Sequence, residues 1–278
     1  MIVYLNNEYL PLAKAKVSVM DRGFLFADGV YEVITLYQGK PFHIERHVDR
    51  LKKSLKSIYL DFSIELDQIE QIINKLIELN GNTKVDSFYL QITRGAAETR
   101  THHHNQSKPT VFAYTQPIKH ETKPQGIKLI TVNDIRWHRC DIKSINRLAN
   151  VIMSQQAKLA NAEDALIINK GKVFECATSN IFIVENDTIF TPPLTHDLLG
   201  GITREVIIKI SGSRLKIEEI NLARLLNADE VWISSSTREI MAVTCVDNQK
   251  IASGEPGLIY KQTLKAYRNY IDEQLNKQ

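Results

Sequence analysis

The sequence predicts an α+β protein with two domains, a smaller N-terminal one and a larger, strand-rich C-terminal one. Its 278 residues suffice for two domains that each bury a hydrophobic core. Segments with the apolar spacing of helices and segments with the alternation of strands both occur along the chain. A polar stretch with two prolines, PIKHETKPQ, separates the two parts. We therefore predict domains over residues 1–116 and 126–278, joined by a linker over residues 117–125.

The N-terminal domain is predicted to combine short strands with two amphipathic helices. A strand, IVYLN, opens the domain, and VYEVITLYQGKPF predicts a hairpin that turns at Gln38 and Gly39. Residues 43–58 have apolar side chains along one side of a helix. A second helix is predicted to end at Gly81, since glycine commonly ends a helix. The segments DSFYLQITRG and PTVFAYTQ predict two more strands.

The C-terminal domain is predicted to consist mainly of short strands with three helices. Strands are predicted in IKLITV, ALIINKGKVFECAT, SNIFIVENDTIFT, EVWISSS and MAVTCVDNQKI. Two of the helices are predicted over ITREVIIKIS and after Pro256. The remaining helix has Ser144 as its predicted N-cap, and its apolar residues at helical spacing are Ile145, Leu148, Ile152 and Leu159.

Composition and charge argue against several classes of partner. Hydrophobic residues make up 43% of the chain and charged residues 24%, which is typical of a globular protein. No uninterrupted apolar segment reaches the length of a membrane span. The first residues lack the basic leader and apolar core of a secretory signal, so we expect a cytoplasmic protein that binds no membrane. A net charge of +3 is too small to predict a nucleic-acid partner.

Neither the cysteines nor the histidines predict a metal site. The three cysteines, Cys140, Cys176 and Cys245, are widely spaced and odd in number. This arrangement argues against a disulfide framework and fits a reducing compartment. The run from His102 to His104 has no second ligand cluster to complete a metal site, so we interpret it as an exposed polar loop.

The stretch RCDIKSIN, residues 139–146, places Lys143 just before a predicted helix. If that helix begins at Ser144, the positive end of its dipole disfavours the charged form of Lys143. Partial burial beside Cys140 and Ile142 would act in the same direction. A neutral amine is a nucleophile that forms Schiff bases, so Lys143 is a candidate catalytic residue. The alternative is an ordinary lysine whose ammonium lies in water at the tip of a loop.

Two further segments contain candidate binding residues. Glu175 ends the apolar strand KVF on the same face as Val173, where its carboxylate is either solvated or bonded to a cation inside the protein. In LLGGITRE, Gly200 and Gly201 precede a predicted helix. The N–H groups at such a helix start, together with the hydroxyl of Thr203, suit a bound phosphate.

A hydroxyl-rich turn over residues 234–237 ends a later strand and would add hydrogen-bond donors to the same phosphate. Arg50, in the helix that follows the hairpin, would supply the counter-charge. The alternative interpretation of both turns is that they are plain surface turns without a ligand.

Read in chain order, these segments resemble a known family. DRGFLFADGVYEV, HVDRL, RCDIKSIN, ECATSN, LLGGITRE and SSSTREI follow one another with the order and spacing of the class IV aminotransferases. These are the fold-type IV enzymes that use pyridoxal 5′-phosphate, and within them the chain looks most like the D-amino-acid aminotransferases. The resemblance covers nearly the whole chain and is most specific in DRGFLFADGVYEV and RCDIKS. It implies a two-domain fold-type IV structure with the cofactor between the domains.

The resemblance also implies roles for individual residues at the cofactor. Lys143 is implied to hold pyridoxal phosphate as a Schiff base and to move the proton at the reacting carbon. Glu175 is implied to face the pyridine nitrogen and to keep it protonated, and Leu199 to pack against the ring. The residues implied to bind the phosphate are Arg50, Ile202, Thr203 and Ser236.

Substrate recognition is implied to depend on a tyrosine and an Arg-x-His loop. Tyr31 matches the tyrosine, and Arg100-Thr101-His102 matches the loop. In this family the loop reaches across from the other subunit of a homodimer and helps to hold the substrate carboxylate. Here the segment between TRG and Arg100 is one residue longer than the family pattern, and two further histidines follow His102.

The activity implied is reversible transfer of an amino group from D-alanine and other D-amino acids to 2-oxoglutarate, giving pyruvate and D-glutamate. One alternative within the family is a branched-chain L-amino-acid aminotransferase, which would not need Arg100 and His102. Another is a 4-amino-4-deoxychorismate lyase, in which the same cofactor eliminates pyruvate. A binding module without enzymatic activity would leave Lys143, Glu175 and LLGGITRE unexplained.

Overall fold

The computed structural model of the protein describes residues 1–103, 108–118 and 123–277. Among these residues, no helix combines the length and the apolar composition needed to cross a membrane. The predicted linker over residues 117–125 stays a prediction, because residues 119–122 lie outside the described ranges.

The chain folds into two compact units, each with its own sheet and core. The first unit comprises Met1–Lys119 together with the short segment Ile142–Asn146, and the second comprises His120–Asp141 and Arg147–Gln278. The segment that contains Lys143 therefore packs with the first unit, although it lies within the range predicted for the C-terminal domain.

The first unit is built on a six-stranded antiparallel sheet with helices packed against it. In chain order its elements are β1 (Ile2–Leu5), β2 (Glu8–Pro11), α1 (Arg22–Phe26), β3 (Gly29–Tyr37), β4 (Lys40–Pro41), α2 (Ile44–Ser57), α3 (Leu66–Asn80), β5 (Val85–Thr93) and β6 (Thr110–Pro117). Across the sheet the strands follow the order β2-β1-β6-β5-β3-β4. The strands and helices predicted for this part of the chain are confirmed.

Local sequence explains where these elements turn and end. Between β3 and β4, Gln38 and Gly39 have φ angles of 54° and 82°, the positive values that a two-residue hairpin turn requires. Helix α3 ends at Gly81, whose positive φ suits glycine and whose N–H donates to the Ile77 carbonyl at 2.7 Å. The predicted hairpin turn and the glycine helix end are both confirmed.

The core of the first unit lies between the sheet and the two long helices. Leu51 and Leu55 of α2, Ile73 and Leu76 of α3, and Phe88 of β5 belong to one cluster of buried side chains. The apolar spacing of the helix sequences thus identifies the faces that are buried. Each fully buried side chain of this size contributes about 1.5–3 kcal/mol relative to an exposed one.

The second unit is built on a larger, mixed sheet of ten strands. Its elements are β7 (Ile127–Asn133), α4 (Leu148–Leu159), β8 (Asp164–Asn169), β9 (Lys172–Cys176), β10 (Asn180–Glu185), β11 (Thr188–Thr191), α5 (Ile202–Ser211), β12 (Leu215–Ile217), β13 (Ile220–Asn221), α6 (Leu222–Leu226), β14 (Glu230–Ser235), β15 (Glu239–Val246), β16 (Gln249–Lys250) and α7 (Leu258–Leu275). The order is β12-β11-β10-β14-β15-β7-β8-β9-β13, with β16 paired to β15. The predicted strands and the helices α5 and α7 are confirmed.

Helix α4 begins later than predicted. It starts at Leu148, with Arg147 as its N-cap and no side-chain cap bond, so the prediction of Ser144 as the N-cap is wrong. Ser144 instead forms a β-bridge with Val30 of β3. Its backbone is therefore extended, because a neighbouring strand supplies the pairing that a helix would otherwise provide.

The predicted apolar face of α4 is also wrong. Leu148 and Leu159 are 69% and 75% exposed, and the residues that the helix buries are Asn150, Met153 and Ala157. The periodicity identifies a helix but not its buried face, because apolar side chains occur on more than one side. Of the other residues predicted to form that face, Ile152 is exposed, and Ile145 lies before the helix and is partly buried.

We predict that truncating Leu76 of α3 to alanine lowers the free energy of unfolding by about 2–5 kcal/mol, because it leaves a cavity in a fully buried site. Leu79→Ala, in the same helix at a position 41% exposed, is the matched control and should change it by about 0.5 kcal/mol or less. Denaturant unfolding measures both. Equal losses would contradict the assignment of the buried face.

Candidate active site

The first unit holds Lys143 by its backbone. The N–H of Lys143 donates to Ser54 Oγ of α2 at 3.2 Å, and its carbonyl accepts from the N–H of Tyr31 in β3 at 3.0 Å. Two residues on, the N–H of Ile145 donates to the carbonyl of Gly29 at 3.0 Å. The segment therefore runs along the start of β3, which fixes Lys143 independently of helix α4.

Gly29 allows this close pairing. A Cβ atom at this position would lie 2.6 Å from the carbonyl oxygen of Ile92 and 3.1 Å from the Cδ1 atom of Ile145. A larger residue would displace either β5 or the Lys143 segment. The glycine in DGVYEV thus has a steric role in placing the lysine.

The Lys143 side chain lies against an aromatic ring. Its Nζ atom is 4.4 Å from the centre of the Tyr31 ring, and the residue is partly buried. The alternative of a lysine at a loop tip in water therefore does not describe it. The helix-dipole argument is wrong, because α4 begins five residues later, at Leu148. The environment of the amine is therefore set by Tyr31 of strand β3 and not by a helix terminus.

A buried carboxylate, Glu32, lies next to Tyr31 in the chain and binds two residues of α2. Arg50 donates to both carboxylate oxygens, from Nε and Nη2 at 2.8 Å each, and the ring nitrogen Nδ1 of His47 lies 2.8 Å from Oε2. Burial raises the pKa of Glu32, but Arg50 and His47 outweigh it and hold this pKa well below its usual value. Arg50 is thereby fixed in orientation.

The pKa of His47 is lowered in this cluster. Burial is the largest cause of its lowered pKa, and the positive charges of Arg50 and Lys143 lower it further, while Glu32 opposes them. Sequence reasoning did not predict Glu32 and His47 as partners of Arg50. Both lie in the quoted motifs DGVYEV and HVDRL, so the signal was present.

The predicted substrate loop lies against Phe26 of α1. The guanidinium of Arg100 is 4.7 Å from the centre of the Phe26 ring, and the His102 ring is 5.4 Å from it. Both residues are exposed. His104, the last member of the histidine run, lies outside the described residues. Among those that are described, no cluster of three or more histidine, cysteine or acidic side chains suits a metal ion.

Glu175 of β9 is buried in the second unit and bonded to a cation. Its Oε1 atom accepts from Arg136 Nη1 at 2.5 Å, and Oε2 accepts from the N–H of Leu199 at 3.2 Å and from Asn180 Nδ2 at 3.3 Å. Of the two alternatives for Glu175, the internal bonded one is therefore observed. Burial raises the pKa of this carboxyl, and Arg136 acts against that rise.

Sequence reasoning missed Arg136, the partner of Glu175. Asp134 accepts from Nε and Nη2 of Arg136 at 3.0 and 2.9 Å, and the carbonyl of Asp197 accepts from Nη2 at 2.8 Å. Every described bond of this guanidinium is to an oxygen, so it is locked in place. No spacing rule connects an arginine with a glutamate 39 residues later, and only tertiary structure reveals the pair.

The predicted phosphate-binding turn forms a helix start as expected. Helix α5 begins at Ile202 with Gly201 as its N-cap and without a side-chain cap bond. Ile202 and Thr203 are buried. A Cβ atom on Gly201 would lie 2.1 Å from Asn180 Oδ1, so only glycine fits at the cap. The first N–H groups of the helix are available to an anion, as at any uncapped helix start.

Asn180 links this turn to Glu175 and to the second hydroxyl-rich turn. Its Nδ2 atom donates to the carbonyl of Leu199 at 2.9 Å as well as to Glu175. In the sheet, Asn180 pairs with Ser234 of β14, two residues before Ser236, which lies in the turn after this strand. Ser234 Oγ is buried and has no hydrogen-bond partner among the described residues. Asn180 therefore contacts two of the predicted site residues of the second unit, Glu175 and Leu199.

The first unit thus positions a lysine, and the second contains a buried carboxylate and an uncapped helix start. The chain belongs to the family Amino-transferase class IV, whose family model matches residues 29–246. The family resemblance of the sequence motifs is confirmed.

Individual relatives cover almost the whole chain. The D-alanine aminotransferase of Bacillus licheniformis is 38% identical over 276 residues, 98% of this chain and 97% of that protein. That of Staphylococcus epidermidis (strain ATCC 35984) is 37% identical over 276 residues, 97% of each chain. The solved Escherichia coli branched-chain amino acid aminotransferase superposes with a TM-score of 0.88 over 96% of this chain and 93% of its own, at 24% identity. This last likeness concerns the fold alone, and it confirms the predicted fold class.

We predict that Glu32 makes the protein sensitive to acid. Because its pKa is lowered on folding from the usual 4.5, its stabilisation is fully present above about pH 5 and is lost as the pH falls further. Glu32→Gln should therefore lower the free energy of unfolding by about 3 kcal/mol at pH 7 and by progressively less below pH 4.5. Exposed Glu45→Gln in α2 is the control, with a small and nearly constant effect. A pH-independent cost for Glu32→Gln, measured by thermal unfolding, would contradict the ion-pair assignment.

Proposed function

We propose that the protein is a D-amino-acid aminotransferase that transfers the amino group of D-alanine and other D-amino acids to 2-oxoglutarate. The observation that carries this proposal is the contact between Lys143 and Tyr31, with Nζ 4.4 Å from the ring centre. In the family these positions match the lysine that holds the cofactor and the tyrosine at the substrate carboxylate. The named relatives, D-alanine aminotransferases aligned over nearly their full length, support the choice of D-amino acids.

The cofactor we propose is pyridoxal 5′-phosphate, and the residues present fit it. Lys143 supplies the amine, and Glu175 supplies a buried carboxylate suited to a protonated ring nitrogen. When bound, pyridoxal phosphate supplies an electron sink that stabilises the charge left after the α-proton is removed. The groups proposed to hold the ring and the phosphate are Leu199, the N–H groups at Ile202 and Thr203, the hydroxyls of Thr203 and Ser236, and Arg50.

In this proposal Lys143 has two roles. Its amine would hold pyridoxal phosphate, and it would also be the base that takes the α-proton of the substrate. Backbone bonds to Ser54 and Tyr31 hold the lysine close to one position, which the transfer of a proton between two neighbouring atoms requires.

Glu175 is proposed to act through its charge. Burial alone would favour a neutral carboxyl, which could not hold a proton on the ring nitrogen. The guanidinium of Arg136 lies on the opposite oxygen from Leu199 and Asn180, and it favours the ionised form. Arg136 is therefore proposed to act through Glu175: it keeps this carboxylate ionised, and the carboxylate would keep the ring nitrogen of the cofactor protonated.

Handedness is proposed to follow from the site of the α-carboxylate. Tyr31, Arg100 and His102 would hold this group, so that only the D-isomer directs its Cα proton at Lys143. We further propose a homodimer in which Arg100 and His102 serve the partner subunit's substrate, as in the family. A cytoplasmic location is supported by three cysteines that are all free.

We predict that the purified protein prefers D-alanine over L-alanine with 2-oxoglutarate as acceptor, and that Arg100→Ala lowers kcat/KM for D-alanine about 10–100-fold through loss of a charged hydrogen bond. Exposed Arg214→Ala is the matched control and should have no effect. A coupled assay of pyruvate formation measures all three proteins.

Three outcomes would contradict the proposal in distinguishable ways. A wild type that prefers L-leucine or L-valine would indicate a branched-chain enzyme. Release of pyruvate from 4-amino-4-deoxychorismate without transamination would indicate the lyase. A strong preference for D-alanine that Arg100→Ala leaves intact would keep the activity and refute the assignment of Arg100.

A further inference from the structure

The segment DRGFLFAD, residues 21–28, has no role in the proposed chemistry, although it belongs to one of the two most specific motifs in the sequence. Its residues form helix α1 and the turn into β3. Side chains of this segment bond to the predicted substrate loop, residues 100–102. From these bonds we infer that the segment positions the loop.

Asp21 and Gly23 anchor helix α1 on the sheet. Asp21 caps the helix by accepting from the Gly23 N–H at 2.8 Å, and it accepts from the hydroxyls of Thr93 and Thr110 at 3.0 and 2.7 Å. A Cβ atom on Gly23 would lie 2.3 Å from Thr93 Cγ2, so the helix approaches β5 as closely as only glycine allows. The start of α1 is therefore rigid.

Asp28 fixes the guanidinium of Arg22. Its Oδ2 atom accepts from Arg22 Nε at 2.9 Å and from Arg94 Nε at 2.8 Å. Both arginines are buried. Burial raises the pKa of Asp28, but hydrogen bonds from the two arginines more than offset this and lower it, so the carboxylate is ionised. With Nε bound, the planar guanidinium directs its remaining N–H groups in defined directions.

Those remaining N–H groups hold the backbone of the 100–102 loop. Arg22 Nη1 donates to the carbonyl of Thr101 at 2.6 Å, and Nη2 donates to the carbonyl of His102 at 3.3 Å. A buried arginine thus binds two successive carbonyls of an exposed loop. Arg94 has the corresponding bonds elsewhere, to the carbonyls of Ile58 and Tyr59.

Phe26 contacts the side chains of the same loop. The guanidinium of Arg100 lies 4.7 Å from the ring centre, that of Arg22 lies 4.9 Å from it, and the His102 ring centre is 5.4 Å away. Cation–π contacts at such distances contribute about 0.5–1 kcal/mol at exposed sites. They limit the directions available to Arg100 and His102.

We propose that Arg22, fixed by Asp28 and assisted by Phe26, positions Arg100 and His102 for the substrate carboxylate before the substrate binds. This inference depends on the proposed function of Arg100 and His102. A loop that is already ordered does not have to lose conformational entropy when the substrate binds, so binding is tighter. Loss of Arg22 should therefore weaken carboxylate binding more than it slows proton transfer at Lys143.

The test compares Arg22→Met with Arg94→Met in the full-length holoenzyme. Both changes remove a buried arginine bonded to Asp28, but only the first removes the bonds to the 100–102 loop. Hydrogen exchange without substrate should be faster at the amides of residues 100–103 in Arg22→Met than in wild type or Arg94→Met. Should Arg22→Met fail to fold, Phe26→Leu keeps an apolar side chain while removing the ring contacts, and a smaller increase in exchange is expected there.

Kinetics separate positioning from general destabilisation. Arg22→Met should raise KM for D-alanine about tenfold and change kcat less than threefold, whereas Arg94→Met should leave KM within about twofold. With (R)-1-phenylethylamine, an amine without a carboxylate, wild type and Arg22→Met should react at equal rates in a single turnover.

Two results would overturn the inference. One is unchanged exchange at residues 100–103 in Arg22→Met. The other is an equal loss with D-alanine and with the amine that lacks a carboxylate, which would indicate a structural effect only. If Arg100→Ala has no effect on D-alanine while Arg22→Met still accelerates exchange, the proposed role of Arg100 fails, and the physical coupling of Arg22 to the loop stands.

Discussion

The ion pair between Glu175 and Arg136 is the interaction on which the chemistry proposed for the second unit depends. A carboxylate buried without a partner would become neutral, and removing one partner of such a pair typically costs about 3–5 kcal/mol. Arg136 is itself fixed by Asp134 and the carbonyl of Asp197, so the positive charge cannot move away. Because Asn180 and the N–H of Leu199 bind the other oxygen, the carboxylate also holds the segment before α5.

The first unit repeats this device with different residues. Glu32 is buried, receives two bonds from Arg50 and contacts His47, while Tyr31, the preceding residue of β3, contacts Lys143 on the neighbouring segment. In both units a buried carboxylate on a strand is bonded to an arginine. Several of the side chains proposed to bind the cofactor or the substrate lie on strands of the sheet or are bonded to strand residues, so the sheet fixes their positions. A positioned site of this kind requires little rearrangement on binding.

Features set by local sequence could be predicted, and features set by tertiary contacts could not. Gly81 ends α3 as predicted, because a helix end depends on a few adjacent residues. The predicted start of α4 is wrong, because Ser144 pairs with Val30, which lies more than a hundred residues earlier. Arg136 was missed for the same reason, as no local pattern joins it to Glu175. The motif resemblance predicted the candidate site residues, and that assignment stays a prediction. The bonds that orient these residues could be found only in the structure.

The state of the ring nitrogen of bound pyridoxal phosphate tests the central claim most directly, because Glu175 is proposed to act only through its charge. The measurement is the nitrogen-15 chemical shift of the cofactor, labelled in the ring and bound to wild type and to Glu175→Gln at neutral pH. The account predicts a protonated nitrogen in wild type and an unprotonated one in Glu175→Gln, with the fold unchanged. The same chemical shift in both proteins would contradict it.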